Sequence, residues 1–456
     1  MSPGNLRKAT LQMEGAVGKG IHRGSNASTE RENENTENQK ERLVDDLKLM
    51  IDDLQIVPPL STECRIRRIP DDLRQVKEKA YTPTTISIGP IHHCKNKFQI
   101  METCKVRYLK SFISRTEKNL ENFVSTISGM EGRVRSCYVE ATLPLMHSDE
   151  FVKMILLDAV FILELFYICR HDLEKDDLIL LDQITNIRCD LILLENQLPF
   201  FVLEELFDLF SPYRSNSFSF IQLTFDFFQY LNVQNISHQN VKIEHFTDLI
   251  RTFQTPQLIC RPEGQTRTEK STLLYSATQL HEAGVKFKMI SSPCLDVSTF
   301  KFTNGVLEIP CLELYDETES FIRNVMALEE FRYPTEKYVT DYFIFLDNLI
   351  NTTKDMDLLC NEKIVINHLG DNNAATSFFN NLNTNILLPG VESNYNDICR
   401  NLNKFYEKPW HRWKATLRHQ YFSTPWRTAS TIAAIILLVF TFIQTVCSII
   451  QIVPIV

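Results

Sequence analysis

The sequence predicts a mainly α (α+β) protein: a large helical domain with a small antiparallel β element and a C-terminal transmembrane helix. Three observations predict it. Apolar residues recur every three or four positions over most of the chain, the signature of helices that bury one face. Only 13 glycines occur in 456 residues, and five of them (Gly4, Gly15, Gly18, Gly20, Gly24) sit in the N-terminal tail. The body is therefore poor in the residue that tight β-turns and phosphate-cradling loops need. The last 29 residues, after Arg427, carry no Lys, Arg, Asp or Glu.

Residues 1–40 include GSNASTERENENTENQKE, with no aromatic and no aliphatic larger than Ala. Such a segment cannot bury enough surface to offset its ordering entropy and reads as a disordered tail. The helical domain follows over 41–403. ERLVDDLKLMIDDL opens it as an amphipathic helix that Pro58 and Pro59 end. From Ser61 to about Pro212 long helices alternate with short loops. EFVKMILLDAVFILELFYICR is apolar nearly all round, as a central core helix must be. DLILLENQLPFFVLEELFDLF breaks at Pro199, with Glu195, Asn196 and Gln197 placed to satisfy backbone groups between two buried helices.

Residues 214–270 read as a short helix near 217–232 followed by loops. VKFKMI alternates, and FKFTNGVLEIPCLELY sets Asn304-Gly305 between alternating runs, the strongest short-range hairpin signal. This places the β element near 285–315. TESFIRNVMALEEFR and TDYFIFLDNLINTTKDMDLLCNEKIVINHLG return to helical spacing.

Charge is unevenly spread. The net charge is −9, yet Lys404 to Arg427 hold six basic residues against Glu407 alone, a local +5 that leaves the first 403 residues at −14. An acidic body lacks the basic surface that displaces counterions, so nucleic-acid binding is not expected. The 12 cysteines form no C-x-x-C pair, and with Cys447 in the apolar segment an odd eleven remain. Free thiols in a reducing compartment fit this better than a disulfide framework. No N-terminal secretory signal is visible. Asn26, Asn235 and Asn351 each head an N-x-S/T sequon, informative only once the side of the membrane is known.

Catalytic signatures are absent: no G-x-S-x-G, H-E-x-x-H, G-x-G-x-x-G or G-x-x-x-x-G-K-[ST] occurs, and GAVGKG at 15–20 has the wrong spacing for a phosphate loop. His92, His93, Cys94 and Cys104 lack the second half of a zinc spacing, and adjacent histidines on an extended segment point apart. Asp355 and Asp357 read as the solvated face of a helical turn. No cofactor or metal is expected, and no enzyme activity gains positive support. An alternative reading is a membrane-associated enzyme using Asp158, Glu164 and Glu195 as buried carboxylates.

The C-terminal end carries the clearest functional signal. All three tryptophans, Trp410, Trp413 and Trp426, precede the apolar segment. Residues 404–427 form a basic aromatic juxtamembrane helix in which Trp410, Trp413 and Tyr421 share a stripe with Leu417. Arg412, Lys414 and Arg418 lie around the rest, and Trp426 and Arg427 stand at the membrane boundary. The transmembrane helix covers 428–453. The basic flank predicts a cytosolic body, and the position of the span predicts tail-anchored insertion. Thr441, Gln444, Thr445 and Ser448 recur on one face, suited to self-association in lipid. The expected partners are the lipid bilayer and an unidentified protein.

Several segments together resemble the plant domain-of-unknown-function family 247. They are YTPTTISIGPIHH with METCKVRYLK, LLDAVFILELF, LILLENQLPFFVLEELF, ATQLHEAGVKFK, LEIPCLELYDETESFIRNVMALEE and WKATLRHQYFSTPWRTASTIAAIILLVFTFIQTVCS. In order, they cover about 64–448. Ala159 and Val160 stand where Gly-Cys is usual, Gln279 replaces a usual Glu, and Leu328 and Glu330 replace Phe and Gln. The resemblance implies a plant membrane protein with a C-terminal span, in a family whose grass members include some linked to pollen self-incompatibility. That link implies recognition rather than catalysis, and no catalytic residues are established in the family to carry over.

Overall fold

The computed structural model describes residues 42–45, 47–49, 66–93, 96–116, 119–139, 146–171, 178–209, 219–255, 271–291, 295, 299–382, 384, 393–409, 413 and 425–452. The chain divides into two units, Met1–Leu60 and Ser61–Val456. In the first, residues 42–45 and 47–49 are helical, as the amphipathic pattern predicts, and are exposed. The tail read over 1–40 lies outside the described residues.

The second unit is mainly helical, as expected. Its centre is α4 (Ser148–Arg170), which buries fourteen residues, from Phe151 to Phe166, on every side. Asp149 and Glu150 in its first turn and Arg170 in its last complement the helix dipole. Around it pack α2 (Gln99–Arg115), α3 (Leu120–Ser136), α6 (Phe200–Leu209) and α7 (Phe220–Phe227). Phe166 is the hub of an aromatic cluster, its ring centroid 4.3 Å from Phe227, 5.6 Å from Phe246 and 5.8 Å from Phe220. Such offset and tilted pairs add to area burial in fixing helix positions. Ahead of this layer stands the short α1 (Asp71–Val76), and α5 (Leu178–Leu191) runs into the Pro199 break.

Residues 214–270, read as one short helix and loops, contain a further buried helix, α8 (Phe246–Gln254). Phe246, Leu249, Ile250 and Phe253 give it helical apolar spacing, and His245 caps it by accepting from the Asp248 amide through Nδ1 at 3.2 Å. The pattern was present in the sequence but short and broken by polar residues. A capping box on Ser276 starts α9 (Ala277–Ala283). Gln279 accepts from the Ser276 amide at 2.9 Å and so supplies the reciprocal half of the box.

The Asn304-Gly305 hairpin is present. β2 (Lys301–Thr303) and β3 (Val306–Pro310) pair antiparallel with Thr303 opposite Val306, and both turn residues have positive φ, 52° and 78°. That geometry is the primed turn the dipeptide favours. The sheet goes beyond an antiparallel element, however. β1 (Lys286–Ile290) joins the other edge of β3 in parallel, Phe287 opposite Leu307 and Met289 opposite Ile309, burying Phe287, Leu307 and Ile309.

A second, two-stranded parallel sheet pairs β4 (Leu312–Leu314) with β5 (Val365–Asn367). Between them the chain runs through α10 (Thr318–Arg332), α11 (Tyr338–Leu349) and α12 (Thr353–Asn361), the long crossover that parallel pairing requires. The stretch beginning TDYFIF is therefore two helices and a strand. After α13 (Asn372–Leu382) and α14 (Ser393–Glu407), the unit continues to α15 (Pro425–Ile452). The eight described cysteines are all free thiols.

Candidate functional site

One cluster of buried polar groups in this unit lies where residues 84–89 meet the break between α5 and α6. The TTISIG segment belongs to no helix or strand, so its backbone donors need side-chain partners. Asp190, at the end of α5, accepts from the amides of Thr84, Thr85 and Ile86 at 2.8, 2.6 and 2.8 Å. Asn196 accepts from the Ile88 amide at 2.7 Å through Oδ1. Its Nδ2 donates to the carbonyls of Ile86 at 3.1 Å and Asp190 at 3.0 Å. Asp158 of α4 accepts from the Gly89 amide at 2.8 Å.

Gln197 closes the turn on itself, donating to the Leu191 and Leu193 carbonyls and accepting from the Phe246 amide at 2.9 Å, while its own carbonyl receives the Tyr138 hydroxyl. Gly89 sits against that carbonyl with φ +72°. A Cβ there would lie 2.6 Å from Gln197 O and 3.0 Å from the Tyr138 hydroxyl, so both space and conformation demand glycine.

The three carboxylates considered as catalytic candidates are all buried, and each is paired. Glu195 accepts from the Ile69 amide at 2.6 Å and from Arg74, and its other oxygen lies 2.7 Å from His92 Nε2. Burial pushes its acidity toward the neutral form, but the hydrogen bonds from His92, Arg74 and Ile69 outweigh this and hold its pKa below the ordinary value. His92 is thus engaged by a carboxylate, His93 is half-buried on the following residue, and Cys104 lies in the core. Cys94 is outside the described residues, which hold no group of three His, Cys, Asp or Glu able to bind a metal ion.

Asp158 faces Lys105 Nζ at 2.6 Å, and the same ammonium donates to Glu102 at 2.5 Å and to the Ser87 carbonyl at 2.6 Å. Against the pull of burial, Asp158 and Glu102 hold the Lys105 pKa above its ordinary value. Glu164 pairs with Arg115, but burial dominates there and raises its carboxyl from 4.5 to about 7.

Asp355 is not solvated, contrary to the helical-turn reading. It occupies the third position of α12 and is buried there. It accepts from the Thr352 amide at 2.9 Å as half of a capping box, and from the Ser276 hydroxyl and Thr278 amide at 2.7 and 2.8 Å. The sequence around it holds the T-x-x-D pattern that signals this role. Asp357 is exposed and accepts from Asn372 at 2.6 Å.

Within α15, Trp426–Ile449 is a run of 24 residues whose most apolar stretch reaches a mean hydropathy of 2.5, none of it buried. At about 1.5 Å per residue such a helix is about 36 Å long, against roughly 30 Å of hydrocarbon, so it is long and apolar enough to cross a membrane. Trp426 is 86% exposed and Trp413 is 77% exposed. Arg427 is exposed at the start of α15. Trp410, Arg412, Lys414, Arg418 and Tyr421 lie outside the described residues. On the span, Thr441, Thr445 and Ser448 donate their hydroxyls to the carbonyls of Leu437, Thr441 and Gln444, four residues back, at 2.8, 2.7 and 2.8 Å. This internal bonding satisfies the hydroxyls without water.

Residues 66–440 match DUF247, described as a plant protein of unknown function. The chain belongs to the DUF247 family. A UPF0481 protein of Arabidopsis thaliana is 28% identical over 417 residues, covering 85% of this chain and 87% of the relative. A second Arabidopsis UPF0481 protein is 21% identical over 476 residues, covering 83% and 89%. No solved structure matches.

The DUF247 segments TTISIGPIHH, LLDAVFILELF and LILLENQLPFF, far apart in sequence, are thus the parts that meet at the polar junction. RNVMALEE joins them through Asn324, which accepts from the Leu194 amide at 2.9 Å and donates to the Ala80 carbonyl at 2.8 Å. Sequence reasoning reached Glu195, Asn196 and Gln197 as backbone-satisfying residues but missed Asp190, Lys105 and Gly89. Asp190 stands out only as an acid beside an apolar run, and nothing local marks Lys105 or Gly89.

Glu164 supplies a pH test. Its raised pKa means the fold favours the protonated carboxyl. That contribution is fully present below about pH 4.5, the unfolded value, and is lost as pH rises toward 7. Replacing Glu164 with Gln removes the dependence. At about 1.4 kcal/mol per unit, the stability of wild type relative to Glu164→Gln should fall by up to about 3 kcal/mol between pH 4.5 and 8. Urea unfolding at both pH values checks this; a constant difference would show that Arg115 compensates the buried charge fully.

Proposed function

We propose that this chain is a single-pass membrane protein, anchored in the bilayer through α15, whose helical body faces the cytosol and works as a protein-interaction module. The observation that carries this reading is the unburied 24-residue run Trp426–Ile449. An apolar surface of that size in water would be strongly unfavourable, whereas in lipid it is the stabilised state. The tryptophans and basic residues before it suit the headgroup region and the cytosolic leaflet. The recognition role draws support from the polar junction, whose carboxylates are engaged in holding backbone in place. Self-association belongs to the same reading: with the hydroxyls of Thr441, Thr445 and Ser448 turned onto their own helix, Gln444 is, among the described side chains of that face, the one with an amide to offer a second span.

Sidedness is tested by glycosidase treatment of the full-length chain expressed in plant cells. Asn235 and Asn351 are both exposed, so each is an available acceptor if the body enters the lumen. The expected result is no mobility shift, with the body open to protease in intact microsomes. A shift abolished by replacing Asn26, Asn235 and Asn351 with Gln would place the body in the lumen or outside the cell and overturn the cytosolic assignment.

A further inference from the structure

A cavity of about 750 Å³ opens where the end of α5 meets the 3-10 turn Gln229–Leu231, the β3–β4 junction and the start of α10. Its size is that of sites for small organic ligands, which are mostly apolar with a few placed polar groups. Ile192, Leu231, Leu312, Phe321 and Ile322 supply the apolar wall. Ile192, Leu312 and Ile322 are themselves core residues, so the wall is rigid.

Among the described residues one cation faces this space. The Arg188 guanidinium lies 5.1 Å from the Phe227 ring centroid and 5.5 Å from that of Tyr230, and its Nε is buried without a hydrogen-bond partner. Among the described residues no carboxylate comes within ion-pair distance of it. A partly desolvated guanidinium flanked by aromatic faces and lacking a counter-charge is incomplete, and a planar carboxylate matches its donor fork. The acids lining the cavity do not fill that role. Glu313 accepts from the Tyr315 hydroxyl at 2.5 Å, and Glu317 is exposed at the rim.

We propose that this cavity binds a small amphipathic carboxylate: an apolar body of one or two rings against the Ile192–Phe321 wall, with its carboxylate on Arg188. The site is one of binding rather than thiol chemistry, because burial pushes the neighbouring Cys189 thiol up to about 11 and keeps it protonated and poorly nucleophilic at neutral pH. This inference is independent of the membrane assignment, since every lining residue lies between Thr185 and Ile322.

The test is equilibrium dialysis of labelled 2-naphthoate, and of neutral 2-naphthamide, against the full-length chain in nanodiscs. Thr185→Trp serves as the control for lipid uptake. Thr185 is exposed at the cavity edge, so a Trp there obstructs the space with little risk to the core. The wild type should show one saturable equivalent of naphthoate that the Thr185→Trp variant lacks. Arg188→Gln should weaken naphthoate at least tenfold and leave naphthamide unchanged, and Glu317→Gln, which removes a nearby negative charge, should tighten naphthoate two- to threefold. Binding by the wild type no greater than by Thr185→Trp, or naphthoate affinity equal in wild type and Arg188→Gln, would overturn the proposal.

Discussion

Asn196→Ala should destabilise the helical body by about 2 to 6 kcal/mol, a large part of the roughly 5 to 15 kcal/mol that holds an ordinary domain together. The substitution removes one small side chain but strands two buried backbone groups, the Ile88 amide and the Ile86 carbonyl, and leaves the Asp190 carbonyl with the Leu193 amide at 3.3 Å. Each orphaned group costs about 1 to 3 kcal/mol when no water reaches it. The effect is one of lost hydrogen bonds rather than lost volume, so Asn196→Leu, which keeps the branching and removes no volume, should be at least as damaging. Urea midpoints of the full-length chain in nanodiscs measure both. A loss under about 1 kcal/mol would mean that the TTISIG segment is held by something other than the Asn196 amide.

Lys105→Met should destabilise by about 3 to 5 kcal/mol, because it leaves the Asp158 carboxylate buried without its cation. The sign of the double variant separates this account from simple loss of packing. In Lys105→Met/Asp158→Asn the charge is gone, while the Asn oxygen still accepts from the Gly89 amide. The second substitution should therefore recover about 2 kcal/mol or more of what the first removed. If the two losses merely add, the pair is not energetically coupled and the argument for a buried ionic tie fails.

Both predictions concern contacts that sequence periodicity does not reveal. The central helix was legible because its apolar residues run all round α4, and the hairpin because Asn304-Gly305 is the dipeptide that tolerates two positive φ values. The break at Pro199 was legible because proline lacks an amide proton and clashes inside a helix. Each of these is a local property. The clasp on residues 84–89 is not, since Asp190 and Asn196 lie about a hundred positions away from the amides they accept, and nothing in either segment names the other. The parallel pairing of β1 with β3 and of β4 with β5 was invisible for the same reason. Asp355 was misread because a T-x-x-D cap and a solvated acidic turn look alike until Ser276 and Thr278 are brought against it. The cavity on Arg188 is assembled from α5, α10 and the β3–β4 junction, so no single stretch could announce it. Of the C-terminal readings, the apolar helix and its exposure are plain in the structure. Five of the eight interface residues fall outside the described part of the chain.

The central claim, that α15 anchors this protein in a bilayer, is tested most directly by alkaline carbonate extraction of membranes from cells expressing the full-length chain. A parallel variant carries Leu437→Arg and Phe440→Arg, both at exposed positions of the helix. The account predicts that the wild type stays in the membrane pellet. Two charges near the middle of the span cost about 5 to 7 kcal/mol on insertion scales, so the variant should move to the supernatant. Wild-type protein released by carbonate, or a variant retained as firmly as wild type, would contradict the anchor.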